Sequence, residues 1–191
     1  RFDVGDGLVR LGNLTRSDNM VMSIDGPASV LEVVGTLVLN STVGTVMVGG
    51  GATLRIGGDF LFSYADQNRL SGNTGILHLS SQGGRHWLEV GGADLGNATP
   101  GSTNYGWGQM IIGVADRRTT VELVDLYNNS PASANTEALY LFGLGGPPGL
   151  KILGGSTLIV HNINVYARSE GVWVHINELF PPGVGVIEFD K

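Results

Sequence analysis

Apolar and polar residues alternate one by one along most of this chain, and stretches with the 3.6-residue period of a helix are almost absent. Five runs share one phrase: Thr, apolar, any residue, apolar. They are Thr36-Leu37-Val38-Leu39, Thr45-Val46-Met47-Val48, Thr53-Leu54-Arg55-Ile56, Thr120-Val121-Glu122-Leu123 and Thr157-Leu158-Ile159-Val160. In an extended strand the two apolar positions of that phrase point to one side, and Thr and the third residue point to the other. Val30–Val34, Ile76–Leu79 and Trp87–Val90 continue the same texture.

Spacing turns this list of strands into an architecture. Thr36, Thr45 and Thr53 stand nine and eight residues apart, which leaves room for a short strand and a turn of a few residues. Gly35, Gly44, Gly49-Gly50-Gly51 and Gly57-Gly58 fall in those turns, where glycine accepts backbone angles that other residues avoid. Two-residue hairpin turns are scarce: Asp6-Gly7 and Asp25-Gly26 are the Asp-Gly pairs, and neither separates two clean strands. Short strands with loose glycine corners predict an all-β fold, a single β-solenoid with protruding loops. The alternative is a β-sandwich or jelly roll. Polar interruptions at 64–74, 97–108 and 128–135, and a turn at 143–149, read as the loops. Residues 1–180 form the predicted body. Pro181-Pro182-Gly183 then sets off a C-terminal strand, 181–191, with Val184, Val186, Ile187 and Phe189 as its apolar positions. That strand is expected along the fold's own edge or exchanged with a neighbouring subunit.

Composition sharpens the picture. The 191 residues include 31 glycines, about twice the typical share of roughly 7%. Charged residues make up 15%, against a usual ~25%, so Gly, Ser, Thr and Asn must cover much of the surface. Part of that surface is expected to lie against other chains. The net charge is −6, and the nearest thing to a basic cluster is Arg117-Arg118. Nucleic-acid binding, which needs many phosphate contacts, is not expected. There is no cysteine, which removes disulfides, thiolate metal sites and cysteine nucleophiles. No apolar run approaches the ~18 residues of a membrane helix. The sequence starts at Arg1 and reads as mature, trimmed or cut from something longer.

Candidate chemistry is sparse. His78, His86, His161 and His175 show no His-x-x-x-His or His-Glu-x-x-His spacing, and His78 and His161 are expected on outer strand faces. A glycosidase would need two carboxylates facing each other across roughly 5–10 Å. Asp59, Asp66, Asp94, Asp116, Glu122 and Asp125 are the candidates, but most sit at turns, where Asp serves the local backbone. Neither an EF-hand loop nor a Gly-Gly-x-Gly-x-Asp nonapeptide occurs. Gly57-Gly58-Asp59 and Gly91-Gly92-Ala93-Asp94 are partial echoes of the latter; no cofactor is expected, a surface calcium between Asp and backbone carbonyls being the one exception they leave. Gly5-Asp6-Gly7, Gly49-Gly50-Gly51 and Gly143–Gly146 lack the Lys-Ser/Thr of a phosphate loop. Tyr105 and Trp107 form a candidate platform for sugar stacking. Sequons at Asn13, Asn40, Asn97 and Asn128 arise easily in an Asn- and Thr-rich chain.

Several phrases carry a resemblance. Leu88-Glu89-Val90-Gly91-Gly92-Ala93-Asp94-Leu95-Gly96, Thr120–Asp125, Thr136-Glu137-Ala138-Leu139-Tyr140, Gly155-Ser156-Thr157-Leu158 and Asn162–Tyr166 together resemble the large secreted β-helical surface proteins of planctomycetes. These are similar in texture to autotransporter passenger domains. The resemblance spans about 35–167 and transfers no catalytic residue. It implies an extracellular scaffold, adhesin or fibre at the cell surface. The expectation is therefore a non-enzymatic, self-assembling structural protein whose main partner is itself. A carbohydrate-binding or adhesin module recognising surface glycans is the second reading, and a polysaccharide-degrading enzyme the third.

Overall fold

The computed structural model describes residues 1–16, 21–40, 44–64, 66–81, 83–100, 104–129, 136–144, 149–179 and 186–190. The chain opens with β1 (Phe2–Val4), β2 (Gly7–Leu11) and β3 (Leu14–Arg16). The same order returns in β4 (Val21–Ile24), β5 (Ser29–Val33) and β6 (Leu37–Leu39), and again in β7 (Thr45–Val48), β8 (Thr53–Ile56) and β9 (Phe60–Phe62). A long strand, β10 (Leu70–Leu79), then covers the ground of two, pairing with β7 through its first residues and with β8 through its last. There follow β11 (Arg85–Glu89), β12 (Gly106–Ile112), β13 (Thr120–Val124), β14 (Ala138–Leu141), β15 (Leu150–Ile152) and β16 (Thr157–His161). The last elements are β17 (Asn164–Ser169), β18 (Val172–His175), helix α1 (Ile176–Leu179) and β19 (Val186–Asp190).

All-β content is as expected, but the strands do not close into one uniform solenoid. They collect into two hydrogen-bonded sheets, one of 12 strands and one of 7. The distance in sequence between partners also varies along the chain, being longer for Val121↔Leu158 than for Leu31↔Leu54 or Leu158↔Ile187. The long sheet ends with β17 and β18 antiparallel, and α1 follows. Alternation fixes which side chains share a face. It does not fix which strands join one continuous sheet, and there the expectation failed. The sandwich and jelly roll are not formed either. Those folds need antiparallel neighbours, whereas every ladder between the described strands except β17–β18 is parallel. Two stretches read as loops are partly strand: β10 starts at Leu70 and β12 at Gly106.

Parallel, in-register pairing stacks like on like. Leu31, Leu54, Leu77, Met110 and Leu150 form one column across β5, β8, β10, β12 and β15. Leu37, Phe60, Leu88 and Leu123 form another across β6, β9, β11 and β13. All of these side chains are buried, and each contributes about 1.5–3 kcal/mol relative to an exposed position. Between the columns, Gly57 brings two layers together: its N–H donates to the Val33 carbonyl at 2.8 Å. A Cβ there would stand 2.1 Å from the Val34 oxygen.

The two ends of the stack differ. At the late end, α1 buries Ile176 in the core. At the early end, β1, β2 and β3 each pair on one side, and Phe2, Val9, Leu11 and Leu14 cover the core incompletely.

Candidate functional site

Where β11 and β13 end side by side, the Val90 N–H donates to the Val124 carbonyl at 2.9 Å. That junction places Glu89, the last residue of β11, beside Asp125, the first residue after β13. The chain returns at Glu137, just before β14, held there by the Ala138 N–H donating to the Gly92 carbonyl at 3.2 Å. Carboxylate oxygens of Glu89, Asp125 and Glu137 lie within 4.8 Å of one another. Glu89 and Glu137 are buried, and Asp125 is exposed to solvent.

Asn129, fully buried, is wedged into this group. Its backbone N–H donates to Glu137 Oε1 at 2.5 Å, and its side-chain amide donates to Glu89 Oε1 at 3.2 Å and to the Phe62 carbonyl at 2.8 Å. The Oδ1 of that amide is buried and meets no hydrogen-bond donor among the described residues. Glu89 also accepts the Leu126 N–H at 3.2 Å and the Tyr127 N–H at 2.9 Å. Burial pushes the Glu89 carboxyl up to about 8, the Tyr127 and Leu126 N–H groups pull the other way, and the charges of Asp125 and Glu137 push it up further. Two full charges at such a separation repel by roughly 3 kcal/mol at an effective dielectric of about 20. Ionising both buried carboxylates beside the exposed Asp125 therefore calls for a counter-charge.

The residues singled out from sequence fall elsewhere, apart from Asp125. Tyr105 and Trp107 are corrected: both are buried core residues and present no face to a sugar. Tyr105 packs edge-on against Phe62 and donates its hydroxyl to the Tyr64 and Asp66 carbonyls, while Trp107 packs edge-on against Phe60. Val184 lies outside the described residues. Val186, Ile187 and Phe189 belong to β19, which pairs in parallel with β16 of its own chain. Asp59 accepts the Trp87 N–H, Asp66 caps a 3-10 turn through the Asn68 N–H, and Asp94 accepts from Gly96 and Asn164. Glu122 binds Arg85, Trp87 and His161. Burial pushes its carboxyl up, but those three bonds outweigh the effect and hold it below the ordinary value.

A second constellation has the residue types of a proton relay. Ser81 Oγ contacts His86 Nε2, and His86 Nδ1 stands 3.8 Å from Asp59 Oδ1, beside a groove lined by Arg10 and Glu32. The hydrogen bonds run the wrong way for catalysis. Ser81 donates its proton to the Gly83 carbonyl at 2.9 Å, and His86 Nε2 faces that same carbonyl at 3.2 Å. Only an N–H satisfies such a contact, so the imidazole has no lone pair toward the serine.

The neutral form of His78 is favoured by its burial. Its Nε2 faces the Gly113 carbonyl at 2.9 Å, and its Nδ1 accepts from Arg55 at 3.4 Å. Burial lowers its pKa below the ordinary 6.5, the Gly113 bond opposes this, and Arg55 lowers it further against the pull of Glu32. The unfolded chain therefore takes up a proton first as the pH falls, and this stabilising contribution is lost below about 6.5. The denaturation midpoint should drop between neutral and mildly acid pH, and His78→Gln should flatten that part of the drop. An unchanged profile in the variant would show that His78 does not titrate this way.

Sequence reasoning missed Glu89, Glu137 and Asn129. Glu89 carries a weak signal, a charge inside the run Leu88–Gly92, whose residues are buried one after another. Glu137 and Asn129 carry none, because only tertiary structure brings them to β11. Compared with family models, curated proteins and solved structures, the chain matches none.

Proposed function

We propose that this chain is an extracellular structural module that assembles with copies of itself through the rim made by β1, β2 and β3. The rim carries the reading. Among the described residues, each of these three neighbouring strands pairs on one side alone, over the partly covered side chains Phe2, Val9, Leu11 and Leu14. Unpaired strand edges pair readily with another chain, and main-chain hydrogen bonding at an edge is a recurrent docking mode. This function involves no catalytic step.

Association should be measured by sedimentation velocity over a wide range of concentration. The wild-type chain is expected to self-associate, and the double variant Leu11→Lys, Leu14→Lys to remain monomeric with an unchanged far-UV spectrum. Val172→Lys, an exposed position on β18, should assemble like wild type. A wild-type chain that stays monomeric throughout, or a rim variant that assembles normally, would sink the reading.

A further inference from the structure

We propose that Glu89, Asp125 and Glu137, with the Asn129 side-chain oxygen, form a binding site for a divalent cation of the calcium type. This inference is independent of the self-assembly reading.

Four observations support it. The ligand atoms are all oxygens, which suits a hard cation and not zinc or copper. Calcium binds oxygens at 2.3–2.6 Å, so oxygens on opposite sides of one ion stand about 4.6–5.2 Å apart. The three carboxylates lie within 4.8 Å of one another, close to that span. Asn129 supplies the independent sign of a ligand: a fully buried amide oxygen without a donor among the described residues, on a residue bonded to both Glu89 and Glu137. A cation would give that oxygen a partner. Finally, Asp125 is exposed while the other two carboxylates are buried, so the ion has an entry path from solvent and loses much of its water inside. Amide oxygens and a mixed, irregular set of carboxylates favour calcium over magnesium, which demands near-octahedral geometry and keeps its water.

The bound ion would tie together three places far apart in sequence: the end of β11, the start of the excursion after β13, and the return into β14. Neutralising the trio there removes like-charge repulsion that the N–H groups of Leu126, Tyr127 and Asn129 offset only in part.

Calcium should be titrated calorimetrically into chelator-treated full chain, with thermal unfolding followed in parallel. Saturable binding is expected, with an unfolding midpoint that climbs with calcium concentration and a weaker response to magnesium. Glu89→Gln and Glu137→Gln should each weaken calcium binding by at least about tenfold. In calcium-free buffer the same variants should unfold no earlier than wild type, because Gln stands in for the protonated carboxyl of Glu89 and removes one buried like charge at Glu137. That readout separates loss of the site from loss of the fold. Glu122→Gln, outside the cluster, should bind calcium normally. No calcium heat and no midpoint shift in the wild-type chain would overturn the proposal, as would full binding by the double variant Glu89→Gln, Glu137→Gln.

Discussion

Replacing Gly57 with Ala should lower the stability of the fold by about 3–5 kcal/mol, far more than one methyl group ordinarily costs. The added carbon would sit 2.1 Å from the Val34 oxygen and 2.9 Å from its carbonyl carbon. Both belong to the backbone of the adjoining layer, so no side chain can rotate away. The layers must separate, and the bonds from the Gly57 N–H to Val33 and from the Gly58 N–H to Gly35 lengthen with them. Overpacking costs about 1–3 kcal/mol and each lost hydrogen bond about 1 kcal/mol. Gly12→Ala is the matched control, since nothing lies within 4 Å of its added carbon. It should change stability by less than about 1 kcal/mol, or raise it slightly by restricting the unfolded chain. Equilibrium denaturation of the two variants decides the matter. Equal midpoints would mean that the layers do not approach as closely as described.

Truncating Phe60 to Ala is expected to cost about 3–5 kcal/mol. Phe60 is fully buried and stands in register between Leu37 and Leu88. Its ring also meets those of Phe62 at 5.5 Å and Trp107 at 6.1 Å. Removing it opens a cavity bordered by three layers that hydrogen bonds hold at fixed spacing, so little collapse can fill the space. Trp107 should report the change as altered fluorescence. Leu61, the next residue on the same strand, points outward and is only partly buried, and Leu61→Ala should cost under about 1.5 kcal/mol. A Phe60→Ala loss as small as that of Leu61→Ala would contradict the column of stacked side chains.

Much of the strand inventory was legible in the sequence. The apolar-x-apolar part of all five phrases lies in strands, as β6, β7, β8, β13 and β16, with the apolar pair buried in each. The signal is strong because one rule, alternate faces, acts on adjacent residues. The way strands join into sheets was not legible, because it depends on intervening segments whose lengths differ from layer to layer. β10 shows the limit. Its polar start, Ser71 to Thr74, reads as a loop, yet pairing with β7 and β12 makes it strand. Polar character and loop were confused there because main-chain bonding to two neighbours overrides local preference. The aromatic pair failed for a related reason: Tyr105 has its hydroxyl satisfied by two carbonyls, which lets a polar-looking loop residue serve the core. The carboxylate cluster draws on three separate segments, and only Asp125 stood among the acidic candidates.

One consequence follows from the reversal at β17–β18. A stack whose long sheet runs parallel up to its last pair has distinguishable poles. A strand added before β1 can continue the existing parallel order, whereas one oriented the same way and added past β18 meets a neighbour pointing against it. Copies joined by this sheet therefore cannot exchange one pole for the other, and any filament they build carries an arrow along its length.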